Sequence, residues 1–140
     1  MKQAYLYAER ATCDRRHVGC VLVRDNRLVS AGYNGSLAKL PHCDEAGHLF
    51  LDDRAGCQRT SHAEANAIAQ AARMGHSVDG AVAFVTTLPC LTCFKLLHMA
   101  GVQAIFYAED YREGYTHELA AEAGVELTHL PIGEARKAEV

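Results

Sequence analysis

The apolar positions fall into short runs broken by glycine, proline and charged clusters, and their period changes along the chain. Residues 2–11 read as a short amphipathic helix. Val18 to Arg24 and Leu28 to Tyr33 are β-rich runs on either side of Asp25-Asn26-Arg27, which predicts a hairpin. Gly35 to Thr60 has no clear period, and a loop of that length inside a compact domain is often functional. Ser61 stands where an N-cap would, with Glu64 three residues on, the spacing of a capping box. The helix that follows runs through AEANAIAQAARM and stops at Gly75. Ala81 to Thr87 reads as a buried strand. Pro89 opens a further helix as its first residue, and that helix runs to about Ala100. Val102 to Ala108 is a strand, Tyr115 to Ala123 a helix, and Val125 to Leu130 a last strand before a charged tail.

The order is α-β-β-loop-α-β-α-β-α-β. Strands alternating with helices imply right-handed parallel crossovers, and the opening hairpin makes the sheet mixed. The expected architecture is a three-layer α/β/α domain with five strands, formed by residues 1–140 as one unit.

Composition narrows the class. With 14 Lys+Arg against 17 Asp+Glu, the net charge of −3 argues against a general nucleic-acid binder, which carries a basic face. An apolar content of 49% excludes intrinsic disorder. No run reaches the ~18 apolar residues of a membrane span. The start, MKQAYLYAERATC, lacks the apolar stretch of a signal peptide, so a cytoplasmic location is expected. In a reducing compartment, six Cys in a well-cored domain read as metal ligands or core residues rather than disulfides.

Two motifs carry the chemistry: His62-Ala63-Glu64 and Pro89-Cys90-Leu91-Thr92-Cys93. Each opens a predicted helix. A helix turns about 100° per residue, so Cys90 and Cys93 lie close together on one face. His62 and Glu64 lie far apart around the axis and can address one object only from ahead of a helix start. Two helix N-termini would then converge on one metal, and their partial positive ends favour thiolate over thiol. One His and two Cys make the three protein ligands of a catalytic zinc with an open position. Water in that position is acidified towards neutrality, which leaves Glu64 as proton carrier rather than ligand. H-x-E with P-C-x-x-C is the signature of zinc deaminases.

The unperiodic loop holds a second set: Cys43, His48 and Cys57, with Cys13 upstream. Together they form a candidate closed Cys₃His structural zinc site, which would order the loop. His42 competes with His48 as the fourth ligand. Cys20, inside VGCVLV, reads as a small buried hydrophobe.

At this point the chain resembles the deoxycytidylate (dCMP) deaminase family, and within it the bacterial competence-operon-like branch. The resemblance rests on His62-Ala63-Glu64-Ala65-Asn66-Ala67-Ile68 and Leu88-Pro89-Cys90-Leu91-Thr92-Cys93. It also rests on Gly32-Tyr33-Asn34-Gly35-Ser36, Pro41-His42-Cys43, Cys57-x-Arg59 and Tyr107-Ala-Glu-Asp-Tyr111, and covers about residues 4–130. It implies a cytidine deaminase-like fold and hydrolysis of dCMP to dUMP and ammonia, which supplies thymidylate synthesis. It implies that His62, Cys90 and Cys93 bind the catalytic zinc and that Glu64 moves a proton to cytosine N3 and then to the leaving amine. The Ala63 N–H would hold the base carbonyl and Asn34 the deoxyribose hydroxyl. The family's second zinc falls in the region of Cys13, Cys43, His48 and Cys57. Many members are homohexamers regulated by dCTP and dTTP, and Arg73 aligns with an arginine near the subunit interface. The family's Gly-rich stretch after GYNGS is replaced here by Leu37-Ala38-Lys39-Leu40.

The motifs do not choose among free bases, nucleosides, nucleotides and polynucleotides. A polynucleotide deaminase needs a basic channel, and no Lys/Arg-rich stripe is present. A mononucleotide needs a few donors for one phosphate, and Arg24, Lys39, Arg59 and Arg112 are the candidates. GYNGS favours dCMP over another cytidine-type nucleoside or nucleotide, and the complete motif set weighs against a non-catalytic zinc module.

Overall fold

The computed structural model describes residues 1–51, 56–112 and 114–135. In chain order the elements are α1 (Lys2–Ala8), β1 (Gly19–Arg24), β2 (Arg27–Tyr33), β3 (Gly35–Ser36), α2 (Cys43–Ala46), β4 (Thr60–Ser61) and α3 (Ala63–Met74). Then come β5 (Val82–Thr87), α4 (Leu91–Met99), β6 (Ala104–Glu109), α5 (Thr116–Ala123), β7 (Glu126–His129) and α6 (Ile132–Ala135). The main sheet has five strands in the order β2-β1-β5-β6-β7. The β1 strand runs antiparallel to both β2 and β5, whereas β5, β6 and β7 are parallel. The mixed five-stranded α/β architecture is therefore the expected one. None of the described helices is long and apolar enough to cross a membrane.

Alternation along β1 divides the two faces. Cys20 and Leu22 point to the α3 side, where they join Ala83, Val85, Ile105, Phe94, Leu97 and the alanines of α3 in the main core. Gly19 points to the other side, where a Cβ would stand 1.9 Å from the Ala4 carbonyl of α1. Cys20 is wholly buried, as expected of a core thiol.

The approach of α3 to the sheet positions the site. The face of α3 towards β2 carries Ala63, Ala67 and Ala71, all buried. Gly32 faces this stripe, and a Cβ there would lie 2.3 Å from the Ala63 carbonyl oxygen and 2.5 Å from Ala67 N. Small residues on both sides let backbone meet backbone. Ser30 Oγ then donates to the Ala67 carbonyl at 2.7 Å, and Asn66 Nδ2 donates to the Tyr33 carbonyl at 2.7 Å.

Three local expectations are corrected. The hairpin turn is Asp25-Asn26 alone, with φ of 52° and 57° at the two residues. That double left-handed geometry matches the twist of the flanking strands, so Arg27 already belongs to β2. Ser61 is not an N-cap. It pairs with Gly35 in the small β3-β4 ribbon, so the backbone stays extended until His62, which occupies the cap position without a capping side-chain bond. Pro89 likewise stands one residue outside α4, whose N-cap is Cys90. The unperiodic loop contains the short α2, and the tail beyond β7 begins with α6. The rest of the tail, residues 136–140, lies outside the described residues, as do residues 52–55 of the loop.

Gly32→Ala should cost about 1–3 kcal/mol of stability, the usual range for overpacking a closed contact. Denaturant unfolding measures it; a loss under about 0.5 kcal/mol, within the range of an ordinary surface substitution, would show that α3 can move away from β2 freely.

Candidate active site

The β2–α3 packing and the β5–α4 connection bring two helix starts together. His62 is the N-cap of α3 and Cys90 the N-cap of α4, both with extended backbone. Cys93 lies one turn into α4. His62 Nδ1 is 3.5 Å from Cys90 Sγ and 3.4 Å from Cys93 Sγ. Tetrahedral zinc with Zn–N near 2.0 Å and Zn–S near 2.3 Å requires an N···S separation of about 3.5 Å. The three donors thus stand at the spacing zinc demands, and they can hold one. His62 is exposed, Cys90 half-buried and Cys93 buried, so the open side of the triad faces a cavity.

The electrostatics agree with a cation site. A hydrogen bond from the Cys93 thiol, opposed by burial and reinforced by His62, brings the Cys90 thiol down to about 4. The same hydrogen bond and burial push Cys93 far up. The hydrogen bond to Cys90 raises His62. A divalent ion bound there would displace the thiol protons. Glu64, in the first turn of α3, is 4% exposed. Burial raises its pKa, while His62 and a hydrogen bond with Cys93 pull the other way. A carboxyl held above its ordinary range is better suited to accept a proton and return it.

His62, Glu64 and Cys90 line a cavity of about 610 Å³. Ala63 and Asn34 line it, along with Arg15, Arg16, Tyr111 and Arg112. Ala63 N–H belongs to the first turn of α3 and so has no partner within the helix. Asn34 Oδ1 accepts from Val18 N at 2.7 Å and its Nδ2 donates to the Arg16 carbonyl at 2.8 Å. The arginine candidates separate clearly. Arg112 lines the cavity. Arg59 does not; it donates to the Gly47 carbonyl at 2.7 Å and so ties down the loop. Arg24 donates to the Asp79 carbonyl at the other end of β1. Lys39 lines a different depression, beside Leu37 and Leu40. Arg73 is exposed in the last turn of α3. Sequence reasoning missed Arg15 and Arg16 and gave Tyr111, quoted only within a motif, no role. The Arg16 guanidinium sits 4.9 Å above the Tyr111 ring, joining loops distant in sequence.

The second set also assembles. Ligand atoms of Cys13, Cys43, His48 and Cys57 lie within 4.8 Å of one another. Cys43 Sγ and Cys57 Sγ are 3.7 Å apart, against about 3.8 Å expected for two thiolates on tetrahedral zinc. His48, not His42, completes the set. His42 caps α2, and its backbone N–H donates to Glu45 Oε2 at 2.7 Å. Burial raises Cys57, but hydrogen bonds from the Leu49 and Arg59 backbones, His48 and Cys43 outweigh it and bring the thiol down to about 6.

The sequence model described as the cytidine and deoxycytidylate deaminase zinc-binding region matches residues 1–109. The chain belongs to this family. It is 44% identical over 135 residues to ComE operon protein 2 of Bacillus subtilis, an alignment covering 96% of this chain and 70% of that protein. It is 35% identical to the deoxycytidylate deaminase of Schizosaccharomyces pombe, with 91% of this chain covered but only 41% of the yeast protein. Among solved structures, the dCMP deaminase of cyanophage S-TIM5 in complex with dCMP and dUMP superposes with a TM-score of 0.79. That alignment has 29% identity and covers 92% of each chain. The fold is thus the cytidine deaminase-like one, and the matched zinc-binding region, residues 1–109, spans both donor sets.

Protein purified without chelator should contain about two zinc ions per chain, one for each donor set. Elemental analysis giving a clean value near one, with the Cys43 and Cys57 thiols freely titratable, would contradict the second site.

Proposed function

We propose that this chain catalyses the hydrolytic deamination of dCMP to dUMP and ammonia. The observation that carries the reading is a buried Glu64 carboxyl beside the His62–Cys90–Cys93 triad, opening onto an arginine-bearing cavity. Membership of the deaminase family and the likeness to a dCMP-bound relative support it.

His62, Cys90 and Cys93 would hold the zinc. When bound, zinc acidifies a coordinated water so that hydroxide is available near neutral pH. Glu64 would take one proton of the attacking water and deliver it to N3 of the pyrimidine, and would then carry that water's second proton to the departing amine. Carbon C4 loses ammonia and gains the oxygen of water. The Ala63 N–H, at the positive end of α3, holds the carbonyl at C2. Asn34 keeps the Arg16–Val18 segment in the wall, and its amide has capacity for the sugar hydroxyl. Arg15, Arg16 and Arg112 give the cavity three cations, enough for the two charges of one 5′-phosphate and far short of a polynucleotide channel.

The same reading extends to a single deaminase domain over residues 1–140 in a reducing, cytoplasmic setting. It extends also to a homo-oligomer, hexameric by family resemblance, with Arg73 near the interface and regulation by dCTP and dTTP.

Ammonia release should be fastest with dCMP in a panel of dCMP, CMP, deoxycytidine, dCTP and single-stranded DNA. Preference for deoxycytidine would overturn the phosphate assignment. Glu64→Ala should retain zinc and lose at least about 10²-fold in turnover, the lower end for removing an acid–base group. Activity retained in that variant would overturn the mechanism.

A further inference from the structure

The second donor set is not remote from the cavity. Cys13 and Cys57, two of its members, line the cavity together with Arg15, Arg16, Val18 and Gly56. A metal held there cross-links two wall segments: the connection between α1 and β1, and the end of the long loop. The first segment is tied residue by residue. Thr12 Oγ1 accepts from Ser36 N at 2.8 Å. Cys13 Sγ stands 3.8 Å from His48 Nδ1. The Arg15 guanidinium lies 5.0 Å over the Phe50 ring, and Phe50 itself packs against His48 with ring centroids 5.8 Å apart. The Arg16 carbonyl and Val18 N–H are clamped by Asn34.

Asp14 sits in the middle of this run, between a metal-set cysteine and the two arginines. Its Oδ1 is 3.1 Å from His48 Nε2. That contact calls for a proton on Nε2, which leaves Nδ1, the atom facing Cys13, as the free donor. A carboxylate on the far nitrogen of a ligating histidine fixes its tautomer and ring orientation, and losing one typically costs about 10–100-fold in metal affinity or activity. Asp14 is 71% exposed on its side chain, so nothing in core packing explains the contact.

We propose that Asp14 is a positioning residue: it orients His48 in the second donor set, which through Cys13 holds Arg15 and Arg16 against the phosphate end of the substrate. The second metal centre then sets nucleotide affinity as well as loop order. This rests on the dCMP reading.

The test compares wild type, Asp14→Asn and Asp14→Glu as zinc-loaded proteins, with circular dichroism confirming that each is folded. Release of zinc to a chromogenic chelator is followed alongside steady-state kinetics with dCMP. Asp14→Asn should release one of its two zinc ions about tenfold faster or more. It should raise KM for dCMP severalfold and change kcat less than twofold, and Asp14→Glu should restore part of both effects. Unaltered zinc release in Asp14→Asn would overturn the orientation of His48. Faster release with unchanged KM, or a loss confined to kcat, would overturn the link to the arginines. A wild-type protein inert towards dCMP would sink the substrate reading, and the link to the phosphate with it. Wild-type turnover with an unresponsive KM sinks the link alone.

Discussion

The contact on which the rest depends is that of α3 with β2. It is a backbone-to-backbone contact made possible by Gly32 on the strand and by Ala63, Ala67 and Ala71 on the helix. Its consequence is positional. Ala63 is the first residue of α3, so seating it on the sheet also fixes His62 just before it and Glu64 just after it. Side chains at these two positions point apart in mid-helix, but at a helix start both reach the space ahead of the axis. The chemistry follows from a packing constraint several residues away.

The parallel half of the sheet supplies the rest of the triad. The β5 strand leads through Leu88, which lines the cavity, and the buried Pro89 to Cys90, the cap of α4. Rigid elements thus present each catalytic donor, while loops form the wall opposite. Those loops have little apolar core of their own. Besides the two helix starts, the wall depends on Asn34, on the Arg16–Tyr111 stack and on the Cys13–Cys43–His48–Cys57 set. The division suits an enzyme that must hold reacting groups closely yet admit a nucleotide.

Elements with a clear period were legible in the sequence, because burial of one face dictates that period. All five main strands and the three helices longest in periodicity stand where alternation, glycine stops and the hairpin signal put them. The failures are instructive. Ser61 and Glu64 have capping-box spacing, yet Glu64 is reserved for the cavity and Ser61 for a strand bridge. A local rule was broken where function needed the side chain. His42 competes with His48 on the sequence, and the fold separates them: His48 joins the three cysteines, whereas His42 caps α2. Arg15, Arg16 and Asp14 belong to no motif, and Tyr111 entered only as the end of the Tyr107-Ala-Glu-Asp-Tyr111 stretch, without a role. They meet only because distant segments fold onto one cavity, and no period or spacing records that.

The central claim is that two donor sets of different composition hold zinc, one closed and one open to the cavity. Zinc K-edge X-ray absorption on the purified protein tests it most directly. With Cys₃His and Cys₂His plus a light atom, the account predicts about 2.5 sulfur neighbours per zinc at about 2.3 Å, with an imidazole contribution at both sites. An average near one sulfur per zinc, or an all-sulfur shell without imidazole, would contradict it.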